Sequence, residues 1–273
     1  MKRRPFRYMG GKDRLAGAII GMMPEHSVYT EAFGGGGSVL LQKPRSATEV
    51  YNDLYGDVVN AFRQLRDNAA ELERRMRLTP FSREEYDSAY DGTDDECEAA
   101  RRFIFRAAAG FGSDSMNRRN GFRTGLNQNF TSGAVAWANL ADAVPDITAR
   151  LRGVVIENRP AVQVLQQWDG PRRLHYVDPP YVHDTRRRVR HGYAHEMGDG
   201  DHVELAEVLH SLDGMVMLSG YHSDLYDDLY KGWRRVEMAA RDNVNGARTE
   251  VLWFSPNVPD ELPLFGKEFH GVA

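Results

Sequence analysis

Short apolar runs alternate with amphipathic stretches along most of this chain. Residues 27–31, 47–51, 154–156, 174–177 and 214–219 are brief and carry Val, Ile, Leu, Met and Tyr, as buried strands do. Residues 14–23 place Leu15, Ala18, Ile19 and Met22 at helical spacing, and residues 201–212 read as a further helix. Strands that alternate with helices predict an α/β fold around a mainly parallel sheet. Near the end, residues 233–238 and 250–254 predict a hairpin that closes that sheet.

The middle of the chain has a different character. From residue 57 to residue 77, Val58, Val59, Phe62, Leu65, Leu72 and Met76 recur at helical spacing, and Phe103, Ile104 and Ala107 do so within residues 96–111. Period-two alternation is absent there. The reading is a largely helical insertion, residues 57–150, between the second and third strands. Residues 1–56 and 151–257 then form one discontinuous α/β domain, and residues 258–273 form a tail. The insertion holds a polar, glycine-punctuated loop with Arg118, Arg119, Asn120, Arg123 and Asn127. Arginine suits phosphates and guanine edges, and asparagine suits adenine edges.

Composition narrows the classes. With 273 residues, 41% of them hydrophobic, the chain can bury a sizeable core. No apolar run approaches the ~20 residues that span a bilayer. The basic N-terminus lacks the apolar stretch of a signal peptide. Cys97 is the single cysteine, which excludes an internal disulfide and a multi-cysteine zinc site. These features predict a cytoplasmic protein with no membrane contact. The formal net charge of −4 argues against a uniformly basic nucleic-acid binder but leaves room for local basic clusters. His175, His183, His191 and His195 are close in sequence but lack ligand spacing, so no metal site is predicted.

The densest chemistry is Asp178-Pro179-Pro180-Tyr181, directly after the apolar residues 174–177. It sits at the carboxyl end of a strand, the edge where open α/β sheets bind ligands. Two prolines hold the backbone extended. An acid, fixed carbonyls and an aromatic ring then face one spot, which suits a planar base with an exocyclic amino group. Earlier, Glu31-Ala32-Phe33-Gly34-Gly35-Gly36-Gly37 follows the first strand, and Ser38 reads as the cap of a helix. Asp53 ends the second strand, about 20 residues on, where an acid accepts ribose hydroxyls. No phosphate cradle of the G-x-x-x-x-G-K-[ST] kind is present. A nucleoside without a phosphate chain fits, S-adenosylmethionine (AdoMet) among them. Tyr8-Met9-Gly10-Gly11-Lys12 precedes the first helix.

Taken in order, these segments resemble the Dam-type (D12 class) DNA adenine-N6 methyltransferases. The resemblance runs from the Gly-Gly-Lys segment through the glycine loop and Asp53 to Asp178-Pro179-Pro180-Tyr181. It includes the late segment from Asn245 to Trp253. It implies a Rossmann-like AdoMet-dependent methyltransferase sheet with a helical DNA-recognition insertion, acting on double-stranded DNA. It implies catalytic roles for Asp178, Pro179, Pro180 and Tyr181. It implies cofactor contacts at Tyr8, Gly10, Gly11, Lys12, Glu31, Phe33, Gly34, Gly36, Asp53 and Asp178, with Asn158 a candidate for the cofactor's adenine. DNA contacts are expected from the insertion loop, from Arg186, Arg187, Arg188 and Arg190 after the catalytic motif, and from Asn245 and Arg248. Ala32 replaces the family's usual proline, and Leu126-Asn127-Gln128-Asn129 replaces its Phe-Asn-x-Pro, so the GATC target is not carried over. Cytosine-N4 methylation and an inactive DNA-binding regulator on the same fold stay open at this stage. The tail around Leu262, Leu264 and Phe265 resembles sliding-clamp peptides; the alternative is a tail packed on the domain. A monomer or weak dimer is expected.

Overall fold

The computed structural model describes residues 4–112, 115–126, 132–182, 193–242 and 246–260, with the backbone alone for residues 240–242 and 246–248. A seven-stranded sheet forms its centre. The strands are β1 (Val28–Glu31), β2 (Thr48–Asn52), β3 (Val154–Glu157), β4 (Arg173–Val177), β5 (Met215–Gly220), β6 (Arg234–Asp242) and β7 (Gly246–Phe254). Their spatial order is β3-β2-β1-β4-β5-β7-β6. The first five are parallel, and β7 runs antiparallel between β5 and β6. Strand order reverses between β1 and β4, so the connections leaving those two strands diverge and open a crevice at their carboxyl ends. The predicted closing hairpin is β6–β7.

Successive side chains on a strand face opposite ways, and the apolar sequence fills both faces. Tyr176, Met217 and Leu252 join one buried cluster, while Val177, Val216, Leu218 and Trp253 join another. The second cluster is covered by α8 (Ala161–Gln167), α9 (Asp199–Ser211) and α10 (Asp224–Leu229) through Leu165, Leu205, Leu209 and Tyr226. The first cluster is larger. It takes in α1 (Ala16–Gly21) and then continues through α2 (Gly56–Asp67), α3 (Ala69–Leu78), α5 (Glu96–Ala109), α6 (Gly133–Asp142) and α7 (Val144–Leu151). The helices between β2 and β3, which also include α4 (Arg83–Ser88), therefore share one core with a sheet face.

Two local expectations change. The helical pattern over residues 57–77 is interrupted at Asn68, whose backbone leaves the helical region (φ −132°, ψ 34°), while its side-chain amide donates to Gln64. Asparagine is a weak helix former, which favours a break at this position. Nor does Ser38 cap a helix: its hydroxyl donates to Asp13. The segment makes only isolated helical turns, from Leu41 N to Gly37 O and from Lys43 N to Val39 O, and Pro44 then blocks propagation.

The N-terminal segment is fixed by one aromatic anchor. Phe6 is 3% exposed and packs edge-on against Phe62 of α2 and Phe103 of α5, with ring centroids 5.6 and 5.1 Å away. Such pairs add to the burial itself. Truncating Phe6 leaves a cavity between α2 and α5, and we expect Phe6→Ala to lower unfolding free energy by about 3–5 kcal/mol, measured by urea denaturation.

Candidate active site

The carboxyl ends of the central strands are tied together by a side chain. Asn52, fully buried at the end of β2, donates to the carbonyls of Ala32 and Arg159 and accepts from the Arg159 amide. Its own carbonyl accepts from the Gly34 amide at 2.7 Å. One asparagine thus fixes the exits of β1, β2 and β3. The glycine loop that leaves β1 is held from both sides. Gly35 has φ +46°, a conformation that favours glycine, and a Cβ there would lie 2.7 Å from the Tyr8 ring. Its carbonyl accepts from the Tyr51 hydroxyl.

A cavity of about 300 Å³ opens at this edge, at the lower end of the range for small-ligand sites. Tyr8, Gly10, Gly11, Lys12, Glu31, Phe33, Gly34, Gly36, Asp53 and Asp178 all line it. Ten positions from four separate segments of the chain thus converge on one space. Asp53 is oriented by backbone: Oδ2 accepts from Gly35 N and Oδ1 from Tyr55 N, both at 2.8 Å. Burial raises its pKa, against those hydrogen bonds. Asn158 does not line the cavity. Its amide instead donates to the Asp53 and Leu54 carbonyls and braces the loop after β2; Pro160, Ala161 and Val162 form the wall on that side.

At the β4 exit, charges gather. Lys12 Nζ donates to both Asp178 oxygens, at 2.8 and 2.7 Å, and to the Gly10 carbonyl at 3.0 Å. It also stands 4.9 Å from the Tyr181 ring centroid, on the ring face. Lys12 is 6% exposed. Burial alone would lower its pKa, but Asp178 and Glu250 outweigh that and hold the ammonium charged. Burial and then Glu250 push Asp178 upward, with Lys12 opposing. Tyr181 is itself buried, edge-on to Tyr221, and its hydroxyl donates to Glu250.

Glu31 lies deeper. Its Oε2 accepts from the Tyr29 hydroxyl and the Leu40 amide, each at 2.8 Å. Burial pushes its pKa to about 8 despite those bonds.

Several cavity residues had no sequence signal that singled them out. Tyr193, His195, Glu196 and Met197 form an outer wall. A Cβ on Gly10, which has φ +72°, would meet the Tyr193 hydroxyl at 2.6 Å. His195 packs near Tyr55. Glu250 was visible as a lone acid in an apolar strand, Thr249-Glu250-Val251-Leu252-Trp253, an anomaly that marks either a partner or a site.

The insertion loop is braced rather than loose where it is described. Phe111 N donates to Gly121 O and Arg123 N to Ala109 O, and Tyr90 donates to the Ser115 and Arg118 carbonyls. Arg119 pairs with Asp87 at 2.5 Å, and the Asn120 amide donates to the Phe111 carbonyl. Phe111 is 74% exposed. Arg123 lies close enough to Arg7 to lower its pKa, after burial, and Arg4 adds to that effect. A basic cluster therefore gathers beside Tyr8 in the N-terminal segment. Asn127, Arg186, Arg187, Arg188, Arg190 and Asn245 lie outside the described residues, as do Leu262, Leu264 and Phe265; so does the side chain of Arg248. Among the described residues no metal-holding cluster occurs, and no helix is long and apolar enough to cross a membrane.

Residues 8–244 match the family described as D12 class N6 adenine-specific DNA methyltransferases. The chain is 28% identical over 265 residues to the type II methyltransferase M1.LlaDCHI of Lactococcus lactis subsp. cremoris, covering 90% of each chain. A solved structure of Escherichia coli yhhF, assigned as a methyltransferase, aligns with 90% of this chain and 96% of its own, at 10% identity and a TM-score of 0.37.

The buried Glu31 makes stability pH-dependent. Its pKa rises from 4.5 to about 8 on folding, so the folded state holds the extra proton between those values. That contribution is complete below pH 4.5 and is lost as pH climbs through about 8. We expect ligand-free Glu31→Gln to lose up to about 1.4 kcal/mol per pH unit of stability slope between pH 5 and 8, read from urea titrations at several pH values.

Proposed function

The chain belongs to the D12 class of N6 adenine-specific DNA methyltransferases, and from that premise we propose that it methylates an adenine rotated out of the duplex, at Asp178 and Tyr181, by direct transfer from AdoMet. One observation carries this reading. The Lys12 ammonium occupies both oxygens of Asp178 and the face of Tyr181, the two contacts that a base with an amino group would make there. A set of acceptors that already holds N–H groups against an aromatic ring suits such a base.

The cavity suits AdoMet by its chemistry. Asp53, Asp178 and Glu196 bring carboxylates to one apolar-walled space, a good match for a cationic nucleoside. When bound, AdoMet supplies an electrophilic methyl group carried on a sulfonium. Asp53, fixed by two amides, keeps an acceptor site on each oxygen for the ribose hydroxyls. Tyr8, Phe33 and Val162 wall off water from the apolar parts. Gly34 and Gly36 let the backbone come close. Asn158 holds the Asp53 loop, and Pro160 to Val162 would wall the cofactor's adenine.

On the acceptor side, the Asp178 carboxylate and the Pro179 carbonyl accept the two hydrogens of the adenine amino group. Pro179 and Pro180 keep those acceptors rigid. Tyr181 stacks on the base once Lys12 yields the ring face. The held N–H bonds turn the nitrogen lone pair toward the methyl group, and Asp178 takes up the proton released after transfer. Alignment and fixed dipoles supply the acceleration; Cys97, buried in the insertion helices, has no part.

DNA meets the rim formed by Arg7, Arg118, Arg119, Asn120 and Arg123. The exposed Phe111 ring offers a face for base stacking. DNA contacts are also proposed for Asn127, Arg186, Arg187, Arg188, Arg190, Asn245 and Arg248 from their residue types. The type II designation of the Lactococcus relative favours protective methylation beside a restriction enzyme. A sliding-clamp contact through Leu262, Leu264 and Phe265 stays a separate proposal, tested by deleting residues 262–265 and measuring clamp binding.

Incubation with AdoMet carrying labelled methyl and unmethylated DNA, followed by nucleoside analysis, should yield N6-methyladenine. Asp178→Ala should lose transfer by at least 1,000-fold with an unchanged melting curve; near-parental activity would refute the acceptor site. Arg123→Ala should lower the slope of log affinity against log salt by about 1, measured by DNA titrations at several salt concentrations.

A further inference from the structure

Glu250 lies in the late segment from Asn245 to Trp253 but carries none of the roles expected there. It lies on β7, which runs antiparallel beside β5 and pairs Val251 with Gly220 at the carboxyl end of that strand. That pairing delivers the residue before Val251 to the same edge as the β4 exit. Glu250 is 3% exposed. Its Oε1 accepts from the Tyr181 hydroxyl and, at 3.3 Å, from the Ser219 hydroxyl. Lys12 Nζ stands 3.6 Å from the same oxygen. Tyr176 donates to Ser219 at 3.1 Å, so the carboxylate is itself held from the neighbouring strands.

A buried carboxylate is costly unless it is paired and hydrogen-bonded. Here its partners are the two groups that the target base must engage or displace. Tyr181 has to present its ring at a fixed angle, and its hydroxyl is pinned to Glu250. Lys12 has to leave the Asp178 oxygens, and the nearest other anion is Glu250.

We propose that Glu250 is a positioning residue for methyl transfer: it fixes the Tyr181 ring through the hydroxyl and receives the Lys12 ammonium when the target amino group takes Asp178. The proposal rests on the reading that Asp178 and Tyr181 receive the base. Glu250 touches neither base nor cofactor in this role. The exchange moves no covalent bond: Lys12 stays charged and shifts from one carboxylate to the other. The charge balance of the site is kept as a neutral base enters.

The test compares Glu250→Ala, Glu250→Gln, Tyr181→Phe and the double variant Glu250→Ala/Tyr181→Phe in single-turnover methylation of DNA. AdoMet affinity is measured by calorimetry and stability by thermal melting in parallel. Glu250→Ala should slow transfer by 10- to 100-fold while AdoMet affinity and the KM for DNA stay within about threefold. Glu250→Gln, which still accepts the Tyr181 hydroxyl, should recover part of the rate. The double variant should lose less than the product of the single losses, because either change alone already removes the Tyr181–Glu250 contact. A Glu250→Ala rate within twofold of the parent would overturn the proposal, as would losses that multiply in the double variant. If Glu250→Ala does not fold, a parental rate in Glu250→Gln combined with additive Tyr181→Phe would overturn it equally. Asp178→Ala in the same assay separates the two readings: full rate there removes the acceptor site and this proposal together, whereas loss there without loss in the Glu250 variants removes this proposal alone.

Discussion

Two buried carboxylates within reach of one ammonium set the terms for this site. Asp178 and Glu250 would repel each other and lose hydration if left alone at the sheet edge. Lys12 offsets both, with hydrogen bonds to Asp178 and a 3.6 Å approach to Glu250. The balance requires Lys12 to come from the N-terminal segment, Asp178 from β4 and Glu250 from β7. Each of these elements must therefore be in place before the charges can be buried. The arrangement also places a resident cation against the Asp178 carboxylate and the Tyr181 ring, so the ligand-free site is pre-shaped for hydrogen-bond donors.

The parallel sheet supplies the stage for this balance. Strand order reverses between β1 and β4, and the glycine loop and the Asp178 segment leave on opposite sides of the gap. Asn52 then turns a general property of such sheets into a specific shape, since it binds the exits of β1, β2 and β3 together. Asp53 follows it and inherits its position. A fully satisfied buried amide of this kind fixes geometry well, because every alternative placement leaves polar atoms unpaired.

The helical segment is joined to the sheet, not hung from it. α2, α5 and α7 share the larger apolar cluster with β-strand residues such as Tyr51 and Tyr176. Phe6 bridges α2 and α5, only two residues before Tyr8 of the cavity. Arg123 of the insertion loop sits near Arg7 in the same N-terminal segment.

Much of this was legible in the sequence because it depends on local order. Alternating apolar runs gave the strands, the Pro-Pro pair marked a strand exit, and the glycine loop and Asp53 marked the adjacent turns. Family resemblance added Tyr8 to Lys12, which line the same cavity. Other features had no local signature. Asn158 follows a strand exactly as a cofactor-binding residue would, yet its amide is spent on the Asp53 and Leu54 carbonyls, a contact set by the loop it meets. Ser38 looks like a helix cap, but the chain makes only isolated turns before Pro44. The wall from Tyr193 to Met197 and the place of Glu250 beside Tyr181 follow from strand order and antiparallel register, which bring together residues 69 positions apart. The sequence by itself determined which elements form and which side chains can do the chemistry, because periodicity and residue type are local properties. Only the tertiary structure decided which charges meet, since burial and pairing are settled between segments that the chain order keeps apart.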